Sequence, residues 1–146
     1  ALGLIAASDI IFVVQGTQLC FSEVRLGLAP AVISAFVKNK IMPRDMSRYF
    51  LTAEVFGPKE AFSMGLVHEY GPEDKMQEKL QETLNKLRNN GPQAVRETKR
   101  LIADLNTEAD IKTYTTQLIA QLRVGPEGQE GLQAFFEKRK PKWMES

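Results

Sequence analysis

The chain changes character at Pro72. Beyond that residue, apolar side chains recur only at helical spacing. Met76, Leu80, Leu84 and Leu87 form one stripe, and Val95, Ile102 and Leu105 a second. Ile111, Tyr114, Leu118 and Leu122 form a third, and Leu132, Phe135 and Phe136 mark the last helix. Gly91-Pro92 and Gly125-Pro126 punctuate the run, and Thr107 with Asp110 has the form of a capping box with Asp in place of Glu. Four consecutive amphipathic helices leave any sheet to the residues before Pro72. They also carry more apolar face than so short a preceding segment can cover, which predicts self-association through this region.

The first part reads as mixed. Ile10 to Val14 is a continuous β-branched and aromatic run, the pattern of a buried, parallel strand. Ala1 to Ser8 reads as a helix of small residues able to approach a sheet closely, weakened by Gly3. Gln15-Gly16-Thr17 is a turn, and Leu19 to Phe21 reads as a short strand presenting Ser22 and Glu23. Ala31 to Ile41 has helical spacing at Val32, Ile33, Phe36 and Val37, with Pro30 where a first helical residue tolerates proline. Pro43 ends that helix, and Arg44 to Thr52 forms another with Met46, Tyr49 and Phe50 inward. Pro58 to Met64 is a short helix capped by Gly65, and Leu66 to Tyr70 a short strand. The fold class is α/β, divided into 1–71 and 72–146.

Composition removes several classes. The formal net charge is +1, so bulk charge predicts no nucleic-acid or acidic-membrane partner. One cysteine permits no intrachain disulfide and points to a reducing compartment. One His and one Cys, without ligand spacing, predict no metal site. The apolar stretch Ala1 to Val14 is interrupted by Asp9 and too short to span a bilayer, and it lacks the basic start of a signal peptide. The chain has no initiating Met and opens mid-pattern, which suggests the later part of a longer polypeptide.

Chemistry concentrates between Leu19 and Pro30. Glu23 sits among Phe21, Val24, Leu26 and Leu28, with Gly27 and Pro30 breaking the chain before the next helix. A carboxyl in an apolar wall has its charged form disfavoured by desolvation, and a raised pKa suits proton transfer near neutral pH. The plainer alternative is an ion pair between Glu23 and Arg25 at a strand end. His68 reads as structural, and Cys20, with no His partner, as packing.

The segment Phe21-Ser22-Glu23-Val24-Arg25-Leu26-Gly27-Leu28-Ala29-Pro30 resembles the second active-site segment of the crotonase family, the enoyl-CoA hydratases and isomerases. Leu4 to Ile10, the stretch from Tyr49 through Glu54 and Ala61 to Val67, and Gly131 to Arg139 resemble family segments in the same order. The resemblance implies the second half of a crotonase-like spiral ββα core, followed by a C-terminal helical trimerisation region. The absent half would hold both oxyanion-hole donors, the second a Gly immediately upstream of Ala1. It further implies Glu23 as the catalytic acid–base, Phe135 and Lys138 as CoA-binding residues acting from a neighbouring subunit, and Leu26, Pro30 and Ala31 as acyl-pocket residues. Coenzyme A would be part of the substrate, with no separate cofactor. The assembly would be a homotrimer or hexamer, cytoplasmic, or in the mitochondrial matrix of a eukaryote.

Many family hydratases carry a second glutamate at the position of Gly3. Its replacement here, together with Ala31-Val32-Ile33-Ser34 and Arg48 to Glu54, is most similar to bacterial methylglutaconyl-CoA hydratases and to relatives acting on geranyl-type acyl-CoAs. The expected reaction is hydration of a branched enoyl-CoA, 3-methylglutaconyl-CoA first. The alternatives are another enolate reaction of the family (isomerisation, dehydration or decarboxylation) or a non-catalytic oligomerisation module. The chain by itself is expected to be inactive.

Overall fold

The computed structural model describes residues 2–144; Ala1, placed in the first helix by its sequence, lies outside them. The elements run α1 (Leu2–Ala7), β1 (Phe12–Val14), a 3-10 turn (Glu23–Leu26), α2 (Ala31–Val37), α3 (Pro43–Thr52), α4 (Pro58–Ser63) and β2 (Glu69–Gly71). Then come α5 (Glu73–Arg88), α6 (Pro92–Asp104), α7 (Ile111–Val124), α8 (Pro126–Phe136) and a second 3-10 turn (Lys142–Met144). This is a mostly helical α/β fold with one small sheet. β1 and β2 pair in parallel, Phe12 opposite Glu69 and Val14 opposite Gly71.

The chain forms two compact units divided after Leu80. The division falls inside α5 rather than at the compositional break at Pro72. The first turns of α5 belong with the sheet, because Met76 is buried close to Gly71.

The core of the first unit is built on Phe21, which is 1% exposed. Its ring meets Phe50 edge-on at 4.7 Å and stacks on Phe56 at 5.7 Å, and Tyr49 tilts against Phe56 at 4.6 Å. Aromatic contacts of this kind add to the burial of the rings themselves. Leu19 and Phe56 exchange backbone hydrogen bonds at 3.0 and 2.9 Å. That single antiparallel bridge is all that forms where a strand over Leu19–Phe21 was expected.

The other expected strand moves along the chain. Leu66 and Val67 are buried, but their N–H groups return to the Ala61 carbonyl, and the ladder begins at Glu69. Gly65, at φ +84 with the Lys40 carbonyl closely opposed, makes the turn that diverts them. His68 is structural: its Nδ1 accepts the Ile11 N–H at 3.1 Å. α1 packs on α2, and a Cβ on Gly3 would meet nothing within 4 Å. α2 ends at Val37, four residues before its expected end at Ile41, and Pro30 caps it instead of opening it. Pro43, expected to stop that helix, is the first residue of α3.

The second unit contains the last turns of α5 and the three helices after it. α7 is capped by Asp110, whose side chain accepts from Thr113 N–H at 3.1 Å; Thr107 does not take part. That bond holds the Asp110 carboxyl below its ordinary pKa. The start of α6 is capped from another helix. The Glu127 carboxylate of α8 accepts the N–H groups of Gln93 and Ala94 at 2.8 and 2.7 Å. Among the described residues from Gln81 onward, Ala134 alone is fully buried. Ile102, Ile119, Phe135 and Phe136 are more than 60% exposed.

Candidate active site

Glu23 begins a 3-10 turn rather than ending a strand. Its carbonyl accepts from Leu28 N–H, and Gly27 closes the turn in the left-handed region at φ +73. Phe21, two residues earlier, anchors the turn in the core. Arg25 anchors it from the other side, its Nη2 donating to the Ala53 carbonyl at 2.5 Å. Cys20 Sγ donates to the same carbonyl at 3.1 Å. Ala53, fully buried at φ +49, ends α3 in the left-handed conformation that aims this carbonyl. The arginine is thus engaged with backbone, and Glu23 makes no ion pair among the described residues. Glu23 as a residue is half-buried.

Glu23 lies on the wall of an open cavity of about 470 Å³. Gly3 and Ala7 of α1, Cys20 and Ser22, and Val32, Ile33 and Phe36 of α2 complete most of the lining. Glu23 is the one carboxylate among these residues. The three residues expected in the acyl pocket stand elsewhere: Leu26 is 76% exposed, Ala31 exposed and Pro30 half-buried, and none lines this cavity. The 3-10 turn carries Leu26 away from the cavity. The helical pitch of α2 presents Val32, Ile33 and Phe36 in its place. Their i, i+1, i+4 spacing was visible in the sequence as one helix face; its proximity to Glu23 was not.

Phe135 and Lys138 lie in the second unit. Phe135 is 77% exposed, with its ring edge-on to Phe136 at 5.8 Å. Lys138 is exposed just past the end of α8. The residues around it form a network that the sequence did not signal. Arg139 donates Nη1 and Nη2 to the two oxygens of Glu130 at 2.6 and 3.1 Å and Nε to Glu137 at 2.7 Å. Glu130 also accepts the Lys142 N–H at 3.0 Å, with Lys142 Nζ 4.0 Å away. Trp143 follows, its Nε1 donating to the Asn89 carbonyl at 3.2 Å and its ring lying against Gly131.

The Arg139 hydrogen bonds hold the Glu130 carboxyl down at about 2, against its partial desolvation. A carboxyl whose pKa is lower folded than unfolded stabilises the fold fully above its unfolded value. That stabilisation is lost as pH falls through the folded value. The segment carrying Trp143 is therefore expected to release between about pH 4.5 and pH 2. Emission from Trp143, the single tryptophan, reports it. A red shift over that interval is expected, and Glu130→Gln should show it already at neutral pH. Emission unchanged down to pH 2 would contradict this account.

Glu23, half-buried on the wall of a largely apolar cavity and held by a turn that both core and backbone brace, is the candidate acid–base group of this α/β module. The chain belongs to the enoyl-CoA hydratase/isomerase family, which it matches over residues 2–146. It is 40% identical to an enoyl-CoA hydratase of Shewanella pealeana of known structure, with a TM-score of 0.90, covering 97% of this chain and 54% of that one. The AtuE structure of Pseudomonas aeruginosa is 34% identical with a TM-score of 0.90, covering 98% and 57%. The enoyl-CoA hydratase ACTT6 of Alternaria alternata is 30% identical over 136 residues, 91% of this chain and 46% of that protein. The chain spans about half the length of the curated relatives it matches. No helix among the described residues is long and apolar enough to cross a membrane.

Proposed function

We propose that the full-length protein adds water reversibly across the α,β double bond of a branched enoyl-CoA, 3-methylglutaconyl-CoA first. The observation that carries this reading is Glu23, among the described residues the one carboxylate on the wall of a cavity otherwise lined largely by apolar groups. A single carboxyl suffices for syn addition: it takes a proton from water as the oxygen attacks Cβ and delivers a proton to Cα. The thioester enolate needs two backbone N–H donors, which the family resemblance assigns upstream of this chain. Gly3 supports a bulky acyl group, because it contributes no side chain to the cavity wall and a Cβ there would meet nothing within 4 Å. The same observation favours a second reading, double-bond isomerisation, in which one carboxylate moves a proton between Cα and Cγ.

Incubating the full-length protein with 3-methylglutaconyl-CoA and with crotonyl-CoA separates the readings. Hydration gives a product heavier by one water and favours the branched substrate. A product of unchanged mass selects isomerisation, and no turnover of either thioester removes the proposal.

The helices of the second unit are the self-association surface of this reading, as a trimer or a pair of trimers. Support comes from the scarcity of buried residues after Gln81, since exposed apolar faces of this extent are normally covered. Sedimentation of the full-length protein at micromolar concentration should give a trimer or hexamer. A folded monomer would count against it.

A further inference from the structure

α8 ends in a Schellman arrangement: Arg139 N–H donates to the Ala134 carbonyl at 3.0 Å and Lys138 N–H to the Phe135 carbonyl at 3.2 Å. The residue between the helix and its return is ordinarily glycine, because a Cβ is strained in the left-handed region. Here it is Lys138, at φ +54. A non-glycine residue persists there when the surroundings over-determine it, and such positions cluster at ligand clamps.

The surroundings of Lys138 do this. Arg139, the next residue, is gripped by both oxygens of Glu130 and by Glu137. Glu130 also takes the Lys142 N–H, and Trp143 is seated on Gly131 and tied to Asn89. Backbone on both sides of Lys138 is therefore fixed. Its own ammonium makes no hydrogen bond or ion pair among the described residues. The arrangement spends three anchors on holding one unpaired cation at a position where glycine would form the more stable helix end.

We propose that Glu130, Arg139 and Trp143 are positioning residues that hold Lys138 in its left-handed conformation so that its ammonium meets a phosphate of CoA. This rests on the proposed function and on the reading of Lys138, implied by the family resemblance, as a CoA-binding residue, whose ammonium suits a phosphate. The clamp acts through backbone geometry; none of its three members need touch the ligand.

The test uses the full-length protein, with coenzyme A and pantetheine, which lacks the phosphates, as calorimetric probes at low salt. Lys138→Ala should weaken CoA roughly three- to tenfold and leave pantetheine unchanged. Lys138→Gly should weaken CoA equally while raising Tm by about a few degrees, since it relieves the strain. Glu130→Gln should weaken CoA by a similar factor, spare pantetheine and red-shift Trp143 emission. In the Lys138→Ala background it should add nothing further to Kd.

If Lys138→Ala leaves CoA affinity unchanged, the phosphate reading fails and the inference with it. If Lys138→Ala weakens CoA but Glu130→Gln does not, or the two effects add, the positioning role is overturned and the phosphate contact stands. Equal weakening of CoA and pantetheine by Glu130→Gln would show general loosening and also overturn it.

Discussion

Glu23→Gln in the full-length protein is expected to lower kcat for the hydration of 3-methylglutaconyl-CoA by about 10²–10⁴, the range for loss of a general acid–base. The amide keeps the shape of the side chain and one hydrogen-bonding oxygen but cannot exchange the proton. Two features of the site sharpen the expectation. Gly3 also lines the cavity, and among the described lining residues no second carboxylate is present to substitute. The fold, moreover, does not lean on the Glu23 charge: Arg25 is bonded to the Ala53 carbonyl, and Glu23 makes no ion pair among the described residues. Melting temperature should therefore stay within about 2 °C of wild type, a surface-like effect. Glu54 is the control. It is paired with Arg48 on the surface, where such a pair contributes little, and Glu54→Gln should keep near wild-type turnover. The opposite pattern, a falling Tm with turnover per folded molecule intact, would make Glu23 a structural residue. Turnover within a fewfold of wild type would remove it from the mechanism.

Gly128→Ala carries the largest expected effect on stability. In an ordinary helix this change stabilises by about 1 kcal/mol, because glycine has the poorer propensity. Here a Cβ would stand 2.1 Å from the Leu122 carbonyl oxygen and 3.2 Å from that of Arg123, both on the last turn of α7. These are backbone atoms and cannot swing aside, and only Gly125 separates α7 from α8. Relief requires the two helices to part, a cost of about 3 kcal/mol that outweighs the propensity gain. Tm should fall by roughly 5 °C or more. Gly3→Ala is the matched comparison: also helical, with nothing within 4 Å, it should leave Tm equal or higher. An unchanged Tm for Gly128→Ala would mean that α7 and α8 do not approach this closely in solution.

The sequence was most legible where one signal served one element. The four long helices follow from stripes of period 3.6, because amphipathic spacing and the Gly-Pro breaks are local signals, although the cap of α6 is supplied from α8. The strands were less so. Leu66 and Val67 have strand composition, but they owe their burial to the core around Ala61, while Glu69 and Tyr70 with little apolar character make the ladder. Leu19 to Phe21 pairs at one residue only, because Phe21 is held by rings rather than by a sheet.

At the candidate site, flanking residues singled out Glu23 in the sequence, and the structure puts it on a cavity wall. Leu26, assigned to the acyl pocket by the family resemblance, is 76% exposed on a 3-10 turn and does not line the cavity that holds Glu23. The Ala53 carbonyl as the partner of Arg25, and Glu130 as the partner of Arg139 nine residues on, left no trace in spacing. Both depend on left-handed residues, Ala53 and Lys138, whose types do not announce that conformation.

The cap that Glu127 supplies to α6 orders events in time. A ribosome delivers Gln93 and Ala94 more than thirty residues before the carboxylate that satisfies them. Until α8 has emerged and folded back, the first turn of α6 frays in water, since its N–H groups have only solvent to bond. The order of the first turn of α6 is thus tied to α8 through a single carboxylate.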